Sequence, residues 1–128
     1  MNFTLQTLKD IKVIEVKFDN LFVIGYAGRN IRKTISHIKE LEKQLGVPAP
    51  NKIPTIFQCS NTLLTQEENI HFIGDNTCGE VEYVIVLLDG NIYIGIGSDH
   101  TDRKLESISV LKAKQICPKP IGNILWDY

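Results

Sequence analysis

Long apolar runs are missing from this chain. The longest, Tyr83 to Leu88, covers about six residues, against the roughly 20 that a membrane-spanning helix needs. A surplus of either charge is missing too: 14 lysines and arginines stand against 15 aspartates and glutamates, for a net charge of −1. The basic residues are dispersed, so neither a nucleic-acid footprint nor a membrane-surface patch is expected. The opening Met-Asn-Phe-Thr-Leu-Gln has no basic start followed by an apolar stretch, so no secretory leader is read. Cysteine is scarce. Cys59, Cys78 and Cys117 are an odd and widely spaced set, with no CxxC pair and no zinc pattern. Free thiols in a cytoplasmic setting are the expectation. Repeats and low-complexity segments are also absent.

What is present fits one α+β domain over residues 1–128, with strands predominant. Hydrophobic content of 43% and charged content of 23% are ordinary for a globular chain. Asn2 to Gln6, Lys12 to Lys17, Leu21 to Tyr26, Thr55 to Cys59 and Ile70 to Ile73 read as short strands, with Asp19-Asn20 as a turn. Ile31, Ile35, Ile38, Leu41 and Leu45 recur at helical spacing after Asn30, a good N-cap, and before Gly46 and Pro48, which stop a helix. One main helix over about 30–45 follows. Residues 99–106 leave the strand pattern for a turn and a short helix, and 107–117 are open between helix and strand.

The most informative segment lies between 80 and 99. Two runs of Val, Ile, Leu and Tyr flank Asp89-Gly90, the signature of a type I′ hairpin turn. With a two-residue loop, paired numbers sum to 179: Gly97 faces Glu82 and Asp99 faces Glu80. Opposed residues and residues two apart share a sheet face, so Glu80, Glu82 and Asp99 converge with opposed Cβ atoms roughly 5 Å apart. Like charges that close need neutralising, and a hard divalent cation with oxygen ligands does so. Gly97 leaves room for a ligand. A three-residue loop would instead send Asp99 to the other face, and carboxylates at a strand end also face solvent in many proteins.

Other residues carry two readings each. His37 and Glu40, at i and i+3, share a helix face and could form a proton-transfer dyad or an exposed pair. Arg103 could hold a substrate carboxylate or make a surface salt bridge. Lys114 could bind the same anion or stay solvated. Arg29 follows a glycine turn and could face a pocket or pack over the helix start. His100 and Asp102 suit a supporting role or a surface turn. Cys78 and Cys117 read as small buried or half-buried residues.

Six segments in order resemble the fumarylacetoacetate hydrolase superfamily, specifically a divergent branch of unknown function. They are Leu21-Phe-Val-Ile-Gly-Tyr-Ala-Gly-Arg-Asn30, His37-Ile-Lys-Glu40, Val47-Pro48 through Pro54 and Phe57, Gly79-Glu80-Val-Glu82-Tyr-Val-Ile-Val, Ile94-Gly-Ile-Gly-Ser-Asp99-His-Thr-Asp-Arg103, and Ala113-Lys114-Gln-Ile-Cys-Pro118. The resemblance implies a mixed β-sheet or roll in which the 80–97 hairpin is central. It implies Mg²⁺ or Mn²⁺ on Glu80, Glu82 and Asp99, proton handling by His37 and Glu40, and substrate binding by Arg29, Arg103 and Lys114. The implied activity is hydrolase or lyase chemistry on a small 2-oxo or diketo acid: C–C bond hydrolysis, decarboxylation, hydration or tautomerisation. A homodimer is implied as well. The match resembles the N-terminal half of that catalytic domain, and a Thr-Gly-Thr-Pro loop that lines the family's site lies beyond it. The alternative expectation is therefore a non-catalytic remnant, or a metal- or small-molecule-binding domain that needs a partner segment.

Overall fold

The computed structural model describes residues 1–128. Strands dominate: one five-stranded sheet, three two-stranded ladders and three helices. The main sheet has the order β2 (Ile11–Glu15), β1 (Asn2–Gln6), β11 (Ile124–Asp127), β8 (Asn91–Ser98), β7 (Val81–Leu88). β1 runs parallel to β11, and the other neighbours are antiparallel. The first and last strands are therefore adjacent in the middle, and the hairpin forms one edge of the sheet rather than its centre.

The hairpin has the register that its turn demands. Every pair from Val81 with Ser98 to Leu88 with Asn91 sums to 179. Asp89 (φ 48°) and Gly90 (φ 78°) both adopt left-handed backbone, as a type I′ turn requires. The three-residue loop is thereby excluded. Alternation along the strands then divides the sheet into two faces. The inner face carries Phe3, Leu5, Val86 and Leu125, and Val16 and Ile121 close over them to form the buried core. The outer face carries Tyr83, Ile85, Leu87, Ile92 and Ile96, all exposed.

Gly97 has a different purpose from the one expected. A Cβ there would lie 2.8 Å from the Pro120 carbonyl oxygen and 2.8 Å from Val84 Cγ2. The space opposite Glu82 is filled by the chain at 120–122, which bridges to Gly97 through Ile121. The glycine admits backbone, not ligand.

Away from this sheet, β3 (Leu21–Gly25) and β4 (Thr55–Cys59) form an antiparallel ladder, with α1 (Ile31–Leu45) between them in sequence. Asn30 caps α1 by accepting the Arg32 and Lys33 N–H groups at 3.1 and 3.2 Å. Gly46, at φ 66°, ends it in the left-handed conformation. Asp19-Asn20 does not close a hairpin, because β2 pairs with β1 whereas β3 pairs with β4. The turn carries the chain from one sheet to another.

Ile70 to Ile73 is not a strand either. No neighbouring segment offers it a ladder, and Phe72 is sheltered by stacking on the His100 ring instead (centroids 4.9 Å apart, 22° between planes). The strand in this region is the short β5 (Leu64–Thr65), parallel to β10 (Lys119–Pro120). β6 (Thr77–Cys78) pairs with β9 (Thr101–Asp102), and α2 (Arg103–Glu106) and α3 (Val110–Gln115) follow. The ambiguous 107–117 stretch is thus mainly helical.

Candidate functional site

The hairpin's open end builds the site. Beyond the last ladder pair, the Asp99 N–H donates to the Glu80 carbonyl at 2.8 Å, and the Glu80 N–H donates to Ser98 Oγ at 3.0 Å. These bonds extend the register by one step. Glu80 and Glu82 then follow Val84 and Val86 along the inner face, and Asp99 joins them from β8. Glu82 is exposed as a residue, but partial desolvation of its carboxyl, together with the negative charges of Glu80 and Asp99, pushes it above the usual range, while Lys114 pulls it partly back.

Cations already occupy much of this cluster. Asp102 caps α2 by accepting the Leu105 N–H at 2.8 Å, and this presents Arg103 at the first helical position. The Arg103 guanidinium donates to Glu80 and, at 2.9 Å, to the buried Glu106. Burial alone would lower its pKa; the hydrogen bonds and charges of Glu106 and Glu80 outweigh that and raise it. Lys114, on α3, is buried, and its ammonium donates to Asp99 and to Thr101 Oγ1 (3.2 Å) and lies 4.0 Å from Glu80 Oε2. Lys119, on β10, is also buried. It donates to the His100 and Lys114 carbonyls, the latter at 2.6 Å, and lies 3.2 Å from Asp99 Oδ1 at an angle too poor for a hydrogen bond. Four carboxylates thus face three basic side chains, and Glu82 is the one left without an ion pair.

The repulsion inferred from the hairpin is therefore relieved chiefly by the protein's own lysines and arginine. In this arrangement no three His, Cys, Asp or Glu side chains are grouped closely enough to hold one metal ion. The Glu82 carboxylate is nevertheless without an ion pair, and Asp99 Oδ1, though 3.2 Å from the Lys119 ammonium, is buried without a hydrogen bond. An all-oxygen set of this kind suits a hard divalent cation, once Glu80 is released from Arg103.

Of the expected site residues, the fold brings together Glu80, Glu82, Asp99, Arg103 and Lys114. Lys114 is not solvated; it is among the most buried charged groups in the chain. Arg29, His37 and Glu40 lie exposed on the turn before α1 and on α1 itself, without a side-chain hydrogen bond or ion pair. His100 is half-buried, and its Nδ1 has no partner. Cys78 is exposed, unlike Cys59 and Cys117.

Three neighbours of the cluster had no part in the sequence reading. Lys119 sits between two prolines, where nothing in the local pattern marks a buried cation. Glu106 had a signal, its i,i+3 spacing from Arg103. Tyr26 has left-handed backbone (φ 58°) at the end of β3. Burial first, then the charges of Glu106 and Glu80, raise its hydroxyl pKa, so it stays protonated beside the acids.

No curated protein and no solved structure matches this chain. A family model described as a protein of unknown function, DUF2848, matches residues 24–128, a span that includes every member of the charged cluster. The chain therefore belongs to the DUF2848 family.

Proposed function

We propose that this domain holds Mg²⁺ or Mn²⁺ with Glu80, Glu82 and Asp99 and acts there on a small 2-oxo or diketo acid. The observation that carries the reading is the hairpin register, which gathers three carboxylates beside three basic side chains and leaves Glu82 unpaired with a raised pKa. When bound, the cation would polarise the substrate's carboxylate and keto oxygens. Arg103 and Lys114 would move from their carboxylate partners to the substrate's anionic end, a switch that costs little because one ion pair replaces another. Lys119 would keep Asp99 in place from behind. Tyr26 offers a protonated hydroxyl at the same end. Proton transfer by His37 and Glu40, and substrate contact by Arg29, rest on the family resemblance alone.

Calorimetric titration with Mg²⁺ and Mn²⁺ tests the metal claim. Binding in the micromolar to millimolar range that Glu82→Ala abolishes is the expected result, and no binding by the wild type overturns it. Turnover of oxaloacetate or an acylpyruvate that needs both metal and His37 tests the activity.

The second reading is a metal- or small-molecule-binding domain whose site needs walls from elsewhere. Its support is the openness of the cluster: Glu82 is exposed, and the Glu80 and Arg103 side chains are each 33% exposed. A hollow of about 510 Å³ lies elsewhere, lined by Ile56 to Ser60 with Leu111 and Gln115. Metal binding without turnover on any 2-oxo acid tested would favour this reading.

A further inference from the structure

We infer that Arg103 withholds the Glu80 carboxylate from a lone cation, so that this domain takes its divalent cation together with a carboxylate-bearing ligand. The inference rests on the metal reading above and extends it to how that site is regulated. Arg103 is fixed at its backbone. Its N–H donates to the Asn76 carbonyl at 3.0 Å, and the Asp102 cap starts α2 at this residue. The guanidinium then forks: Nη1 donates to Glu106 at 2.9 Å, and Nη2 donates to Glu80.

The two arms of the fork differ in burial. The Glu106 side chain is 6% exposed and Arg103 is its one ion-pair partner, whereas the Glu80 side chain is 33% exposed. A buried carboxylate that loses its counter-ion is strongly disfavoured. A more exposed pair exchanges partners at little cost. The Glu106 arm is therefore the anchor, and the Glu80 arm is the exchangeable one. Arg103 can pass Nη2 from Glu80 to another anion without leaving the site, and a planar guanidinium suits a carboxylate in particular. Glu106 acts here as a positioning residue.

The charge of the cluster selects what comes with the cation. When ionised, Glu80, Glu82, Asp99 and Glu106 carry four negative charges, and Arg103, Lys114 and Lys119 carry three positive ones. The balance, three against four, is −1. A divalent cation alone turns it to +1 among partly buried groups, where an uncompensated charge is costly. One added carboxylate restores neutrality, and Arg103 Nη2 is in place to receive it. The same exchange frees Glu80 for the cation. Linkage makes the effect reciprocal: the anion raises cation affinity by the factor by which the cation raises anion affinity.

Calorimetric titration of the full chain with Mn²⁺ tests the inference, at about pH 8 so that the carboxylates are ionised. Arg103→Lys is the decisive variant. It keeps the charge and leaves Glu106 a counter-ion, but it has no fork to hold Glu80 as well. It is expected to bind Mn²⁺ alone about fivefold or more tightly than the wild type. Glu106→Gln removes the anchor, lets Arg103 rest wholly on Glu80, and is expected to bind Mn²⁺ more weakly. Excess acetate, compared with chloride at the same ionic strength, is expected to tighten Mn²⁺ binding by the wild type more than by Arg103→Lys. Should Arg103→Lys not fold by circular dichroism, Arg103→Gln combined with Glu106→Gln conserves the net charge, leaves neither buried group charged, and is expected to show the same rise. A freed Glu80 that brings no rise in affinity overturns the inference while the metal reading stands. So do a Glu106→Gln affinity above that of the wild type and equal gains from acetate in both proteins. Binding by Arg103→Lys alone supports the inference and fails the metal claim for the wild type. Binding by neither overturns both.

Discussion

On β7, Val84 and Val86 point to one side of the sheet and Tyr83, Ile85 and Leu87 to the other. The two sets are equally apolar, yet Val86 is buried and Leu87 is among the most exposed side chains in the chain. The inner set meets Phe3, Leu5 and Leu125, and Ile121 and Val16 close over them from outside the sheet. The outer set meets nothing. Hydrophobicity alone thus does not make a core; a second surface of matching shape must arrive. The inner face also tolerates charge at one end, because Arg103, Lys114 and Lys119 reach its carboxylates. The outer face carries almost no charge.

The largest expected effect tests this contrast directly. Leu125→Ala or Phe3→Ala empties space in a closed core and is expected to cost about 3–5 kcal/mol. Ile85→Thr on the outer face is expected to change monomer stability by less than about 0.5 kcal/mol. Denaturant titration at protein concentrations too low for self-association measures both. Equal costs would mean that the outer face is covered within the monomer.

Lys119→Met comes next. It removes a buried cation from two carbonyls and from beside Asp99, but Lys114 still pairs with that carboxylate. The loss is expected to be about 2 kcal/mol, below the roughly 3–5 kcal/mol of a carboxylate left wholly unpaired. A double-mutant cycle with Asp99→Asn should show a coupling of about 1 kcal/mol. Additive effects would mean that Lys119 acts only through the carbonyls.

A smaller effect is expected in the pH dependence of Glu82. Its pKa is raised in the fold, so the protonated form is the one that folding favours. Its contribution is full below the ordinary glutamate range and is lost as pH rises through the raised value. In metal-free protein, Glu82→Gln should therefore gain melting temperature on the wild type between about pH 4 and pH 7. A variant that loses ground over that interval would show that Glu82 is stabilised as a carboxylate.

The mildest probe is thiol labelling. Cys78 is exposed and should react on the order of a hundredfold faster than Cys59 or Cys117, which are buried and need local opening first. Burial also raises the Cys59 thiol pKa, with Asp99 adding to it and Lys119 and Lys114 opposing, so less of it is thiolate. Similar rates at all three would show that the inner layer opens readily.

Much of the fold was legible residue by residue. Asp89-Gly90 specified the hairpin and, through the count to 179, the convergence of Glu80, Glu82 and Asp99. Asn30, Gly46 and the isoleucine stripe specified α1. The Ile70 to Ile73 strand failed because a tetrapeptide with three apolar residues says nothing about whether a ladder partner will be adjacent. The charged cluster was half legible. Three of its four carboxylates came from one hairpin, whereas Lys114 and Lys119 arrive from α3 and β10, 15 or more residues beyond Asp99 in the chain.

The residues alone thus determine what steric limits and short-range hydrogen bonds enforce within a few positions: the handedness of a turn, the ends of a helix, the register of a hairpin. Only the tertiary structure decides which cation meets which carboxylate, why Gly97 must be glycine, and which of two equally apolar faces is closed. Those outcomes depend on where distant segments cross, and a segment's own side chains do not encode what will lie against them.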